Sequence, residues 1–245
     1  MSLIVGRKPV LEAINSGEEI EQVYILFGQK GGIIDAIRAA ANKRGIKINQ
    51  VTPEKFRALT DHPNTQGIAA RKSSQKFFQL EEIILSSKKK QYPLLLLLDS
   101  IQDTHNLGAI LRTAECSEVD GIITTKYHSA PINETVVKTS AGATEHLKIV
   151  QVNNLVQTIK ELKENGFWII GSSLENSKPY TEVDYKIPAA VIVGNEEKGI
   201  RRLTSENCDI LVNIPMKGKI QSLNVSVAAG VLLFEILRQR TEVNS

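Results

Sequence analysis

Short apolar runs alternate with amphipathic helical stretches through the second half of the chain. The run PLLLLLDS, bounded by Pro93 and Asp99, is almost continuously apolar, which is typical of a strand buried on both faces of a parallel sheet. Four similar runs follow, GIITT, FWIIGSS, AAVIVG and ILVNIP, and helical patterns such as NNLVQTIKELKENG and VSVAAGVLLFEILRQR separate or follow them. This alternation predicts an α/β domain built on a parallel sheet.

The first 70 residues show the same alternation on a smaller scale. The segment VLEAINSG predicts a helix that ends at Gly17, and residues 23–27 (VYILF) predict a buried strand. A second helix is expected to end at Gly45, followed by a strand over IKINQV and by a helix with Pro53 at its first position. We therefore predict a small α/β unit at the start of the chain.

Residues 71–91 are polar at both ends and contain one short amphipathic helical turn, the pattern of an interdomain linker. We predict a first domain over residues 1–72, a linker over 73–91 and a larger domain over 92–245. We also expect deletion of residues 1–90 to leave ligand binding by the larger domain intact and to weaken RNA binding strongly.

The two parts of the chain differ in charge. Residues 1–90 hold 15 basic and 9 acidic residues, a net charge of +6, whereas the rest holds 15 and 18, a net charge of −3. A basic module of this kind suits contact with an RNA backbone. An excess of this size is also common on ordinary solvated surfaces, so other features have to support the interpretation.

Several classes of protein are not indicated. Cys116 and Cys208 are the two cysteines, and no His or Cys cluster has metal-ligand spacing, so we predict neither a disulfide framework nor a metal site. The longest apolar run, residues 94–98, is too short to cross a membrane, and the start has no cleavable leader pattern. Neither a GxGxxG turn after the first strand nor a P-loop motif is present. We expect a cytoplasmic protein with no membrane or metal partner.

The first segment that is a candidate for binding or catalysis is DSIQDTHNLGAILRTA, which follows the leucine-rich strand. Asn106 lies near the predicted helix start and Arg112 lies six residues later. Loops at the carboxyl ends of parallel strands carry the ligands of α/β proteins. The alternative is that Asn106 caps the helix and Arg112 is a surface arginine.

Two later segments also place polar residues where predicted strands end. In VIVGNEEKGI, Gly194 and Gly199 flank Glu196, and glycine lets a backbone approach a flat ligand closely. In IPMKGKIQSLNVSVAAG, Ser222 and Asn224 lie at the start of the last helix, where Ser222 would cap the helix or bind the polar edge of a cofactor. An ordinary strand-exit turn and an ordinary cap are the alternatives.

Taken together and in this order, the three segments resemble the three motifs of the SpoU branch of the SPOUT methyltransferases. They match its Asn-x5-Arg, Gly-x-Glu-x-x-Gly and Ile-Pro-Met…Ser-Leu-Asn-Val-Ser elements. Each element alone is a weak pattern, but all three within residues 94–240 are highly specific. The opening VGRKPVLEA and the later QGI resemble the substrate-binding domain of a subgroup that methylates a guanosine of large-subunit ribosomal RNA.

The resemblance implies a fold and a site. The fold would be a parallel-sheet catalytic domain with a carboxyl-terminal trefoil knot, preceded by a small α/β RNA-binding domain. The protein would be a homodimer that uses S-adenosylmethionine to methylate a ribose 2′-hydroxyl of 23S ribosomal RNA. The implied residues are Asn106, Arg112, Glu196, Ser222 and Asn224 for catalysis, Gly194, Ile214, Met216 and Leu223 for the cofactor, and Arg7 and Lys8 for RNA.

The family often assigns the role of base to the arginine that corresponds to Arg112. Because a guanidinium stays protonated in proteins, we favour a charge clamp on the phosphate and the developing alkoxide, oriented by Asn106 and Asn224. Arg201 lies outside the motif positions, and its replacement is expected to be mild. Alternative functions are a transfer RNA guanosine methyltransferase, a resistance-type ribosomal RNA methyltransferase and, in another class, a non-catalytic RNA-binding ribosome-assembly factor.

Overall fold

A computed structural model describes residues 3–18, 20–72, 76–195 and 198–241. The chain divides into two units, one that covers residues 1–75 and 131–133 and one that covers the rest of the chain from Lys76 onward. Within these described ranges, no helix is both long enough and apolar enough to cross a membrane. The two units are described separately below.

The first unit is a four-stranded mixed sheet with helices on both faces. Its elements are β1 (Leu3–Val5), α1 (Arg7–Asn15), β2 (Ile20–Leu26), α2 (Gly32–Lys43), β3 (Lys47–Val51), α3 (Pro53–Leu59) and β4 (Ile68–Lys72). The strand order is β1-β4-β2-β3, in which β2 and β3 are parallel and the other pairs are antiparallel. The predicted helices and strands are all present, and Pro53 follows the Thr52 cap as expected.

Alternate residues of β2 point to opposite faces of this sheet and enter two separate cores. Val23 and Ile25 pack in a cluster with apolar residues of α1 and α2, such as Ile37. Tyr24, between them in sequence, packs with Phe56 of α3 in a smaller cluster. The period-two pattern of the strand therefore explains why helices cover both sides.

The second unit is built on a seven-stranded sheet in which every neighbouring pair is parallel. Its strands are β5 (Leu94–Asp99), β6 (Gly121–Thr125), β7 (Ile149–Val152), β8 (Trp168–Ser172), β9 (Lys178–Pro179), β10 (Ala189–Gly194) and β11 (Ile210–Asn213). The helices are α4 (Leu80–Ser87), α5 (Thr104–Cys116), α6 (Glu134–Thr139), α7 (Leu155–Glu164), α8 (Arg202–Glu206) and α9 (Val225–Thr241). The order across the sheet is β7-β6-β5-β10-β8-β11-β9.

The parallel sheet confirms the prediction from the apolar runs, with two additions. All six residues of β5 and all six of β10 are buried, as expected for central strands covered on both faces. The sequence analysis did not identify β7 and β9, which are four and two residues long and lie at the ends of the sheet. The trefoil knot stays a prediction from the resemblance.

The last helix is fastened to the sheet by a partly buried arginine near its end. The guanidinium of Arg240 donates hydrogen bonds to the carbonyl oxygens of Tyr92, Tyr185 and Ile187 at 2.8–3.0 Å. Burial lowers the pKa of Arg240 to about 10, so the group is still charged at neutral pH. These bonds connect the end of α9 to the segments that lead into β5 and β10.

The predicted linker contains residues that the second unit needs for its core. Leu80, Ile83 and Ile84 of α4 are buried in the same cluster as Leu95, Leu97 and other residues of the parallel sheet. A cut after residue 90 therefore removes three core side chains, although the sequence pattern places that cut in a linker. A cut before Lys76 keeps them.

We predict that a fragment of residues 76–245 folds and a fragment of residues 91–245 is much less stable. Full burial of an aliphatic side chain contributes about 1.5–3 kcal/mol, and a domain is stable by about 5–15 kcal/mol in total, so three such losses are severe. Thermal melting followed by circular dichroism compares the two fragments with the full chain. Equal melting temperatures of the fragments would contradict the assignment of α4 to this core.

Candidate functional site

The loops that carry the three motifs leave the same edge of the seven-stranded sheet. They follow the carboxyl ends of β5, β10 and β11. β5 and β10 are direct neighbours, with Asp99 paired in register with Gly194, and β8 separates β10 from β11. Because ligands of parallel α/β sheets bind outside the carboxyl ends of the strands, this edge is the candidate site.

The carboxylate of Asp99 is a fully buried charge at this edge, with a side chain that is 0% exposed. It accepts hydrogen bonds from the Arg201 main-chain N at 2.9 Å, from Arg201 Nε at 2.6 Å and from Ser100 Oγ at 3.2 Å. A buried carboxylate is tolerated in a fold when it has partners of this kind. Asp99 therefore fastens the segment after the second motif to the end of β5.

The second motif forms a closed turn. Asn195 and Gly199 exchange main-chain hydrogen bonds at 2.9 and 2.8 Å, and Asn195 Nδ2 donates to the Ser100 carbonyl at 3.3 Å. A Cβ at Gly194 would lie 2.1 Å from the carbonyl carbon of Gly199, so glycine is required there. The sequence suggested that the absence of a side chain at Gly194 lets a ligand approach. In the structure, the main chain of Gly199 and Ile200 occupies that space. Glu196 lies outside the described residues.

The first and third motifs meet through a pair of asparagines. Asn224 Nδ2 donates to Asn106 Oδ1 at 3.0 Å, across 118 positions of sequence. Asn224 Oδ1 accepts hydrogen bonds from the main-chain N of Ser226 at 2.9 Å and from its hydroxyl at 2.6 Å. The starts of α5 and α9 are thereby joined by side chains that the sequence analysis placed in one site.

The helix caps differ from the two that the sequence suggested. Asp103 is the cap of α5, since its Oδ1 accepts from the main-chain N of Asn106 at 2.8 Å, and Asn106 is the third residue inside the helix. Asn224 caps α9 by accepting from Ser226, which leaves the exposed Ser222 without that role. The side chain of Asn106 therefore does not cap α5, and it accepts a hydrogen bond from Asn224.

Arg112 lies apart from this asparagine pair within one chain. It is exposed on α5, about 9 Å along the helix axis from Asn106 and about a third of a turn around it. Among the hydrogen bonds of the described residues, none joins Arg112 to Asn106, Ser222 or Asn224. The expected orientation of Arg112 by the two asparagines is therefore not seen in the single chain.

The loop between β11 and α9 holds three of the proposed cofactor residues. Ile214, Met216 and Leu223 are partly buried, and residues 217–222 are exposed. Among the described residues, none forms a main-chain hydrogen bond with the main chain of residues 214–223. Backbone groups of a folded protein need partners, so this loop has donors and acceptors to offer to water or a ligand.

Sequence reasoning missed the residues that hold the edge together, above all Asp99 and Arg201. Arg201 was expected to tolerate replacement, yet it is the charged partner of a buried carboxylate, so it is not a suitable neutral control. The signal that points to Asp99 is its position, a carboxylate directly after five consecutive leucines. No local pattern identifies Arg201, because it lies 102 positions away.

The two RNA-binding candidates of the first unit have different environments. Arg7 is partly buried, and its guanidinium donates to Gln29 Oε1 and to the Gln66 carbonyl at 3.3 Å. The main-chain N of Arg7 also donates to Gln66 Oε1 at 3.1 Å. Lys8 is exposed at the start of α1. Arg7 thus holds two loops together, and Lys8 faces solvent.

The described residues of the second unit give little support for a cysteine nucleophile or a metal site. Burial raises the pKa of the Cys208 thiol to about 12, so it is protonated at neutral pH and is a poor nucleophile. Among the described residues, no group of three or more His, Cys, Asp or Glu side chains is arranged to hold a metal ion. Among the described residues of the candidate site, the polar groups besides the Asp99 carboxylate are amides, hydroxyls and guanidinium groups.

Two family models match this chain. Residues 93–234 match the SpoU rRNA Methylase family, and residues 3–78 match the RNA 2′-O ribose methyltransferase substrate-binding domain. A protein of Staphylococcus saprophyticus named as a TrmH family tRNA/rRNA methyltransferase is 40% identical over 242 residues, which are 98% of this chain and 97% of that protein.

Solved structures of related enzymes also superpose on it. The S-adenosylmethionine-bound rRNA methyltransferase of Sinorhizobium meliloti is 25% identical, with a TM-score of 0.63 over 99% of this chain and 88% of that one. The TrmH/SpoU tRNA-modifying enzyme of A. aeolicus is 35% identical, with a TM-score of 0.58 over 66% of this chain and 83% of that one.

We predict that Arg201→Leu lowers the free energy of unfolding by about 1–3 kcal/mol, because Asp99 loses a charged hydrogen-bond donor while remaining buried. The matched control is Arg202→Leu. Arg202 is 78% exposed and pairs with Glu206 one helical turn away, so its loss should cost less than about 0.5 kcal/mol. Urea unfolding of both variants measures the difference, and equal midpoints would show that the Asp99–Arg201 pair adds no stability.

Proposed function

Because this chain belongs to the SpoU rRNA methylase family, we propose that it transfers a methyl group from S-adenosylmethionine to the ribose 2′-hydroxyl of a guanosine in 23S ribosomal RNA. The observation that carries the proposal is the hydrogen bond between Asn106 and Asn224, which joins the first and third motifs at the carboxyl edge of the sheet. The substrate-binding domain in residues 3–78 supports an RNA acceptor. The protein would act in the cytoplasm, without a metal ion.

The loop between β11 and α9 suits S-adenosylmethionine. The adenine ring has an apolar face and a polar edge, and the loop offers the partly buried Ile214, Met216 and Leu223 beside main-chain groups that the described backbone leaves unbonded. We assign Gly194 to the same site as the residue that lets the neighbouring turn close against β10. When bound, the cofactor supplies the methyl group.

The protein's own task is to activate a weak nucleophile. As the ribose oxygen bonds to the methyl carbon, the methyl–sulfur bond breaks with S-adenosylhomocysteine as the leaving group, and the hydroxyl proton passes to solvent water. The negative charge that develops on oxygen during this step needs a preorganised partner. We assign this to Arg112, whose planar guanidinium bridges a phosphate and the 2′-oxygen and remains protonated. Asn106, Asn224, Ser222 and Glu196 would complete the site by positioning the ribose.

The exposure of Arg112 fits a site that a second copy of the chain completes. One side of α9 lies in the core through Leu232, Leu233 and Ile236, while Val227 and Phe234 are 51% and 49% exposed. These two residues are seven positions apart and share a face of the helix. A helix that is apolar all round is normally buried, so we propose an isologous homodimer that covers this face.

We predict that the protein is a dimer without RNA and that Phe234→Asp makes it monomeric, because the change places a charge in the proposed interface. Light scattering gives the mass, and calorimetry gives the affinity for S-adenosylmethionine. The control is Leu85→Asp, which changes an exposed apolar residue of α4, 68% exposed, outside the proposed interface. A wild-type monomer, or a dimeric Phe234→Asp variant, would contradict this interface.

We predict that Arg112→Lys reduces methyl transfer by about 100-fold to 1000-fold while cofactor affinity and melting temperature stay near those of the wild type, because lysine keeps the charge but loses the bidentate geometry. Arg112→Ala should be at least as damaging, and Arg202→Ala should be mild. The measurement is single-turnover transfer to a 23S ribosomal RNA fragment with saturating enzyme. A lysine variant within a few-fold of the wild type would mean that charge alone suffices.

The alternative functions can be distinguished by the RNA that is methylated and by whether S-adenosylmethionine binds. The names of related proteins include both tRNA and rRNA methyltransferases, so a transfer RNA guanosine methyltransferase and a resistance-type rRNA methyltransferase are the alternatives within the enzyme class. Methyl transfer to purified tRNA but not to 23S fragments would favour the first of these. A non-catalytic RNA-binding assembly factor would neither bind S-adenosylmethionine nor transfer its methyl group.

A further inference from the structure

Phe27 is an exposed aromatic side chain at one edge of the first unit. It follows β2 directly and is 73% exposed, although its main-chain N still donates to the Val51 carbonyl at 2.9 Å. Its backbone is therefore held in the sheet while its ring faces solvent. A phenylalanine presented in this way contributes little to the core of the unit.

The loop behind Phe27 is fixed by side-chain contacts. Gln29 Oε1 accepts from the guanidinium of Arg7, and the Gln29 main-chain N donates to the Leu26 carbonyl at 3.2 Å. Gly67 makes room for Gln29, since a Cβ at Gly67 would lie 2.7 Å from the Gln29 Cδ. The two loops and the start of α1 thus form one edge, which we define as residues 6–9, 27–31 and 62–67.

The charges on this edge suit a polyanion. The three segments contain Arg7, Lys8 and Lys30 and no carboxylate, and both lysines are exposed. The carboxylates nearest in sequence are Asp61, Glu12 and Asp35, which lie one, three and four positions outside these segments. A solvent-facing aromatic ring beside exposed lysines is the combination that binds single-stranded nucleic acid, in which the ring stacks on a base and the cations follow the phosphates.

We propose that Phe27 is a stacking platform for an unpaired base of the RNA substrate, with Lys8 and Lys30 contacting the flanking phosphates and Arg7 and Gln29 positioning the loop. The inference rests on the proposed function for the identity of the RNA, but it concerns binding by the first unit alone. A protein partner that packs on the same ring is the competing occupant. Stacking on a base and simple apolar packing place different demands on the side chain.

The test measures binding of the full chain to a fluorescent single-stranded 12-nucleotide oligouridine and to a 12-base-pair RNA duplex. We expect Phe27→Leu and Phe27→Ala to weaken binding of the single strand about tenfold and Phe27→Trp to preserve it, because a base stacks on an aromatic face and not on an aliphatic chain. Binding of the duplex should change little. Phe27→Leu binding the single strand as tightly as the wild type would overturn the proposal.

Matched charge variants and a spectroscopic signal complete the design. Lys30→Ala should weaken oligouridine binding and reduce its salt dependence. Lys47→Ala should do neither, because Lys47 is an exposed residue at the start of β3, at the end of the β2–β3 pair away from Phe27. In a Phe27→Trp, Trp168→Phe protein, oligouridine should quench the fluorescence of the tryptophan at position 27. Absence of quenching on binding would also overturn the proposal.

The outcome is separable from that of the proposed function. Cofactor calorimetry should be near wild type in the Phe27 variants, because the proposed S-adenosylmethionine loop, residues 214–223, lies in the second unit. If methyl transfer fails in the wild type while oligouridine binding depends on Phe27, the proposed reaction is wrong and the platform stands. If transfer succeeds and binding ignores Phe27, the reaction stands and the platform is wrong.

Discussion

A carboxylate kept away from water at the end of a central strand has to find its donors within the protein, and the edge of the second unit is arranged around that requirement. Asp99 accepts hydrogen bonds from the main-chain N–H and the guanidinium Nε of Arg201, and from the hydroxyl of Ser100. These bonds position the chain after the glycine turn, and the turn in turn positions the end of β10. The hydrogen bonds of Asp99 therefore fix the positions of the loops that carry the first and second motifs.

The small unit also uses an arginine to link its loops, but the partners of this arginine are neutral. Its loops are linked by Arg7, Gln29 and Gln66, of which Gln66 has a positive φ of 50° and Gly67 a positive φ of 71°. The sequence analysis assigned Arg7 to RNA contact, but its hydrogen bonds give it a second task, which is to set the shape of the edge that Lys8 and Phe27 present. In both units an arginine organises loops at the edge of a sheet.

Much of the fold follows from short-range patterns. The apolar runs identified β5, β6, β8, β10 and β11, and glycine and proline positions identified the ends of α1, α2 and α3. The strand order, with β10 inserted between β5 and β8, could not be predicted because period and propensity carry no information about which strands are neighbours.

The site was predicted from residue types at the ends of strands and from the family resemblance. That reasoning placed Asn106 and Asn224 in one site, and the two side chains are hydrogen-bonded to each other. The caps that it offered as alternatives, at Asn106 and Ser222, lie instead at Asp103 and Asn224, which are also good capping residues. The bond between Asp99 and Arg201 spans 102 positions, and no single-sequence pattern reports a pair of that kind.

The position of β10 beside β5 also affects how the chain is made. β5 and β10 pair from Ala189 with Leu94 onward, so one side of the leucine strand waits for a partner that is synthesised about 95 residues later. At about 5–20 residues per second this delay is on the order of 5–20 s. Throughout that time the growing chain holds an apolar strand with one unpaired edge, a form that invites association with other chains. The nascent polypeptide on the ribosome, more than the folded enzyme, is therefore the form in which LLLLL is an aggregation hazard.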